Sequence, residues 1–238
     1  MARAAKKTAA AKSAPVDNRD RIVDALMELA AEQPFGDLTI AQIAERAGVS
    51  LADFRDCFPS KGAALAAFNR RIDRIVLDGT TGDMADENTK ERLFDVLMRR
   101  FDALAPYRAA IESVSQWARR EPLAAAQLNR MVVNSMRFML EAAGVDSEGR
   151  VGALKLQGLA LAWARLVQIW LSDDDPGLAV TMAELDRTLR RGDMLVARAK
   201  DIDRLTSPLR LIARGAIGAG LRFARSRRND ADPPAAES

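Results

Sequence analysis

The side chains here best placed to do chemistry are Thr39, Ser50, Arg55 and Lys61, all within TIAQIAERAGVSLADFRDCFPSK. Thr39 and Ser50 can cap helices, and an arginine can grip both acceptors on a guanine edge. Other chemistries lack their residues. The chain has no histidine and one cysteine, Cys57. An ordinary zinc site and every histidine-based triad or general base are therefore excluded, as is a disulfide framework within the chain. Acid pairs are plentiful, but no spacing forces two together, and no glycine-rich phosphate loop or nucleophile motif appears. Asp173 to Asp175 precede Pro176, where acids commonly cap the next helix, so they predict a cap and no metal. The reading is a non-enzyme without metal or cofactor.

Short helices must position those four residues. Thr39 can cap a helix to Ala47 with Ile40, Ile43 and small Ala44 inward. Gly48 can adopt the left-handed backbone that leaves a helix, and Val49 plugs the gap. Ser50 caps a second helix, with Phe54 inward, that ends near Phe58–Pro59. Two capped helices around a tight glycine turn make a helix-turn-helix, whose second helix enters the DNA major groove. A short α-hairpin in any bundle could carry the same capping.

Around this motif the pattern is helical almost throughout. Of 238 residues 48% are apolar, 29% are charged and only 5% are aromatic, a balance that favours helices over strands. Asp17 or Asn18 can cap a first helix bearing Ile22, Leu26 and Leu29, ended by Pro34–Phe35–Gly36. Ser60 opens a fourth helix to about Leu77, and the acidic stretch 78–88 suits a domain boundary. Longer helices are expected at 89–105, 107–120, 122–143, 147–172, 178–200 and 205–228, the one at 147–172 apolar almost all round and so central to a bundle or a subunit interface. No stretch approaches the ~20 apolar residues of a membrane span. A cytoplasmic chain is expected, with a basic N-terminal tail (1–16) and a polar tail (229–238).

The net charge of +3 is unevenly placed. Residues 17–62 hold five basic and nine acidic side chains, whereas 204–228 hold seven arginines and no acid. Asp53 and Asp56 make the second helix of the motif net negative, which repels phosphates. The tail cations Arg3, Lys6, Lys7 and Lys12 could supply attraction by reaching an adjacent groove, or stand as a solvated end.

Together, the amphipathic first helix, the Phe35–Gly36 turn, Ile43 to Ser50 and Phe58–Pro59–Ser60–Lys61 resemble the tetracycline-repressor family of regulators, over about residues 19–65. That resemblance implies an all-α fold: a three-helix DNA-binding head (17–65) and a larger helical ligand-binding and dimerisation domain (66–204). It implies a homodimer on a palindromic double-stranded operator, acting as a repressor released by a small apolar ligand. The positions it assigns to DNA are Thr39 and Ser50 on phosphates, Leu51, Ala52, Asp53 and Arg55 on bases or backbone, and Lys61 on a phosphate. The sequence departs from the family where Asp53, Phe54 and Arg55 replace a small or hydroxyl residue, leucine and tyrosine, and where Cys57 replaces a frequent histidine.

A second resemblance covers about 50 residues from Leu140 to Leu189 and the end helix. There Ala143–Gly144–Val145–Asp146–Ser147, a long apolar helix, and Asp174–Asp175–Pro176 followed by Thr181, Leu185 and Leu189 look like the ubiquinone-biosynthesis accessory family (the ninth Coq protein), which shares the fold. It implies a lipid-like ligand and peripheral membrane contact through 205–228. On that helix Leu209, Ile212, Ala216 and Phe223 oppose Arg210, Arg214, Arg222 and Arg225. A last helix packed on its own bundle reads the same. Both resemblances imply an apolar pocket, expected near Trp117, Met136, Met139, Leu159, Trp163, Leu166 and Trp170, although such stripes also make plain core.

Overall fold

The computed structural model describes residues 17–79 and 86–192, and every regular element among them is helical. The expected tails, the helix at 205–228 and part of the 78–88 boundary lie outside the described residues. The first helix, α1 (Asn18–Glu32), is capped by the Asp17 carboxylate, which accepts from the Arg19 N–H at 3.2 Å, and it buries Ile22, Leu26 and Leu29. It stops at an extended Gln33 before Pro34, the backbone a pre-proline residue prefers. A 3-10 turn (Phe35–Asp37) leads to α2 (Ile40–Ala47) and α3 (Leu51–Cys57).

Both short helices start in reciprocal capping boxes, Thr39 with Gln42 and Ser50 with Asp53. Two orphan backbone donors are satisfied at each start. Gly48 ends α2 at φ 62°, where its own N–H reaches the Glu45 carbonyl and the Val49 N–H reaches Ala44, both at 3.0 Å. A side chain there would add left-handed strain. The motif is thus closed by local chemistry at both joints.

From Ser60, α4 (Lys61–Asp78) runs out of the head and packs on α1, α5 (Thr89–Leu104) and α7 (Pro122–Ala142). A second 3-10 turn (Ala105–Tyr107) precedes α6 (Arg108–Arg120), and α8 (Gly149–Leu171) lies along α7. After a loop, residues 179–192 are helical up to the end of the described residues. That loop is organised as its acids predicted. Asp173 accepts from the Thr181 N–H and hydroxyl at 2.8 and 2.7 Å, and Asp175 from the Gly177 and Ala179 N–H groups at 3.1 Å.

One apolar core extends from Ile22 to Leu189. At 65/66 α4 passes unbroken, and the head shares that core through α1 on α6. A polar knot ties α4 deeper into the body. Arg100, 2% exposed, is ion-paired with Asp73, donates to Asn69 at 2.7 Å and lies 5.4 Å from the Trp163 ring, and Ser135 also donates to Asp73. Burial pushes the Arg100 guanidinium down and the Asp73 charge opposes this. Helix α8 is one-sided: Leu156, Trp163, Leu166 and Trp170 are buried, whereas Leu154 and Leu161 are about 60% exposed.

Candidate nucleic-acid interface

The head presents α3 with Phe54 inward against Phe58 and with Leu51, Ala52, Asp53, Arg55 and Asp56 exposed. Residues four apart share a face of a helix, so Leu51 and Arg55 form one row and Ala52 and Asp56 the next. Leu51 is 58% exposed, and Ile40, expected inward, is 38% exposed at the start of α2. Such apolar side chains on an otherwise polar surface suit thymine methyl groups.

The polar residues divide by what they already hold. Asp53 is turned back onto its own helix start, where its carboxylate accepts from the Ser50 N–H at 3.1 Å and the Ser50 hydroxyl at 2.7 Å. The hydroxyl first, and then the backbone N–H, hold that carboxyl below its ordinary range. The Asp53 charge therefore faces the positive end of the α3 dipole. Thr39 is engaged likewise, its hydroxyl 2.9 Å from the Gln42 amide oxygen.

The cations are more constrained than the sequence suggested. Lys61 was expected on a phosphate. Instead its ammonium donates to the carbonyls of Phe35 at 2.9 Å, Gly36 at 2.9 Å and Leu38 at 2.8 Å. An ammonium has three donors, so this conformation leaves Lys61 none for a phosphate. Burial pushes it down, against the opposing pull of Glu121 and Asp37. The same ammonium stands 5.1 Å from the centre of the Phe35 ring and 6.0 Å from that of Trp117. The arrangement has a tertiary cause, because those carbonyls belong to the 3-10 turn and the Leu38 that follows it, 23 to 26 residues away in sequence.

Two further arginines, which the sequence reading did not single out, close the motif from α1. Arg19 donates to the Cys57 carbonyl at 2.7 Å, at the end of α3, and stands 4.4 Å over the Phe58 ring. Arg21 donates to the Gly48 carbonyl at 3.0 Å, in the turn itself. Each places a cation where a helix dipole is negative. Arg46 is paired with Glu32 at 2.7 Å and Glu28 at 3.6 Å. Among the described head residues this leaves Arg55 as the cation with no intramolecular partner.

The residues expected to line a pocket mostly pack as core. Phe101 stacks on Trp163 at 4.5 Å and lies 5.6 Å from Trp170, and Met136, Met139, Leu159 and Leu166 are buried beside them. Trp117 stands apart, half-buried where α6 meets the head. It lies 4.9 Å from Phe35, and nearby Ser113 accepts from the Phe35 N–H at 2.9 Å and donates to the Gln33 carbonyl at 3.1 Å. No helix among the described residues is long and apolar enough to cross a membrane.

Comparison with known proteins agrees with this architecture. Residues 22–68 match the family described as bacterial regulatory proteins, tetR family. Over 104 residues the chain is 32% identical to the HTH-type transcriptional regulator BetI of Cronobacter sakazakii (strain ATCC BAA-894). That match covers 42% of this chain and spans about half, 52%, of the relative. Among solved structures, a TetR transcriptional regulator from Nitrosomonas europaea ATCC 19718 aligns with a TM-score of 0.59 at 24% identity, over 74% of this chain and 98% of that one. One from Rhodococcus sp. RHA1 gives 0.55 at 22%, over 74% and 95%.

Proposed function

We propose that this chain, a tetR-family head on a body with the fold of tetR regulators, is a DNA-binding transcriptional regulator that acts as a homodimer. The observation that carries the reading is the capped, rigidly closed helix-turn-helix with Leu51 and Arg55 side by side on the open face of α3. Arg55 is the base-reading cation, and Leu51 and Ala52 offer apolar contacts. Thr39 and Ser50 bring helix N-termini to phosphates. The relative called a transcriptional regulator supports the same reading.

The dimer face is α8 with the helix at 179–192. Leu154, Gly158 and Leu161 line its open side, and nothing lies within 4 Å of where a Cβ on Gly158 would sit. Val180 and Met182 are exposed on the next helix. A second copy would cover these residues and set two heads on successive major grooves, about 34–36 Å apart. Release by a small apolar ligand requires that the ligand bind one head spacing better than the other.

The test is a salt titration of binding to short duplexes from the DNA upstream of the chain's own gene. Specific binding with a steep negative salt slope is expected. Arg55→Ala should weaken it by about 1–3 kcal/mol at a guanine-containing site, with the dimer intact. Equal affinity for every duplex, unaltered by Arg55→Ala, would remove the assignment.

A further inference from the structure

A groove of about 260 Å³ opens beside the first turns of α4. Ala63 and Ala66 of α4 form one wall, and Trp117 of α6 with Leu128 and Met131 of α7 form the floor. Arg130 is the one charged side chain on it, exposed and without a partner among the described residues. No carboxylate lines it. Met136, Met139, Leu159, Trp163, Leu166 and Trp170, the other residues expected near a pocket, are buried in the apolar core.

We infer that this groove binds a small carboxylic acid with a flat apolar body. Apolar walls with few polar groups are how ligand sites are built, and drug-sized molecules fill roughly 300–1,000 Å³. The smaller volume here suits a single-ring acid. Its ring lies between Trp117 and Met131 against the alanines, and its carboxylate meets the Arg130 guanidinium, a partner with matching geometry. Small residues make the space: Ala63 and Ala66 stop short where larger side chains would close it. The occupant would touch α4, α6 and α7 together, next to the Trp117–Phe35 contact that joins head to body.

The inference goes beyond the regulator reading, and its test contains no DNA, so failure of one leaves the other standing. Calorimetric titration of the full chain with phenylacetate is expected to show one saturable site per chain. Arg130→Gln should weaken it about fivefold, the scale of one exposed ion pair, and phenylacetamide should bind the unaltered chain about that weakly. Ala66→Phe should abolish binding. If that variant does not fold by circular dichroism, the surface substitution Arg130→Gln and the amide decide. Absence of saturable binding at millimolar phenylacetate, or identical binding of acid and amide to the unaltered chain and Arg130→Gln, overturns the inference.

Discussion

Replacing Lys61 by methionine separates two roles that one lysine could have. Methionine keeps an unbranched apolar stem and removes the ammonium, together with its place over the Phe35 and Trp117 rings. Three carbonyls then lose their donor. The Gly36 bond is exposed, so water can replace it, whereas the Phe35 and Leu38 bonds are half-buried. A hydrogen bond to a charged group contributes about 1.5–3 kcal/mol net. Two such bonds, offset by relief of the ammonium's own desolvation, give a loss of about 2 kcal/mol. In a chain of this size that lowers the melting temperature by about 4–8 °C. Thermal unfolding by circular dichroism, beside a salt titration of duplex binding well below the transition, reads both roles. The expected result is a lower Tm with an unchanged salt slope. Were Lys61 a phosphate ligand, the slope would shrink by about 0.9 per protomer and Tm would barely move. A Tm within 1 °C of the parent, together with that smaller slope, would refute the reasoning.

Three other substitutions probe separate parts of the molecule. Arg100→Met leaves Asp73 charged and buried without its cation, so unfolding in urea should show a loss of about 3–5 kcal/mol, largely recovered when Asp73→Leu is added. Leu161→Glu places a charge on the open face of α8. Sedimentation should then report monomer, with an unchanged far-ultraviolet spectrum and weaker operator binding. The Asp173 carboxyl is held below its ordinary value of 3.8, first by the Thr181 hydroxyl and then by the Thr181 backbone N–H. A depressed folded pKa contributes stability that is full above 3.8 and lost as pH falls through the lower folded value. Asp173→Asn should flatten that acid limb of a Tm-against-pH curve and lower the plateau above it.

The sequence by itself determined the helices and their joints, because those are set by local signals. Thr39 with Gln42, Ser50 with Asp53, the left-handed Gly48 and the Asp173–Asp175 caps are interactions spanning a few residues, and their capping preferences do not depend on the rest of the chain. Inward Phe54 was legible from helical spacing for the same reason, whereas outward Leu51 and Arg55 came from the family resemblance. Tertiary structure alone decided which polar groups remain available. Lys61 and Arg55 look alike as cations near a motif, yet one meets three carbonyls of a turn far away in sequence and the other meets none. Arg19 and Arg21 became clamps on the ends of α3 and α2 only because α1 crosses both. The same holds for the tryptophans. The two resemblances implied a pocket near Trp117, Trp163 and Trp170 alike, but only the packing of α5 against α8 gave the latter two Phe101 as a neighbour, leaving Trp117 on an open groove. A charged or aromatic side chain acquires its role from the partner it meets, and those partners lie tens of residues away, where no local pattern records them.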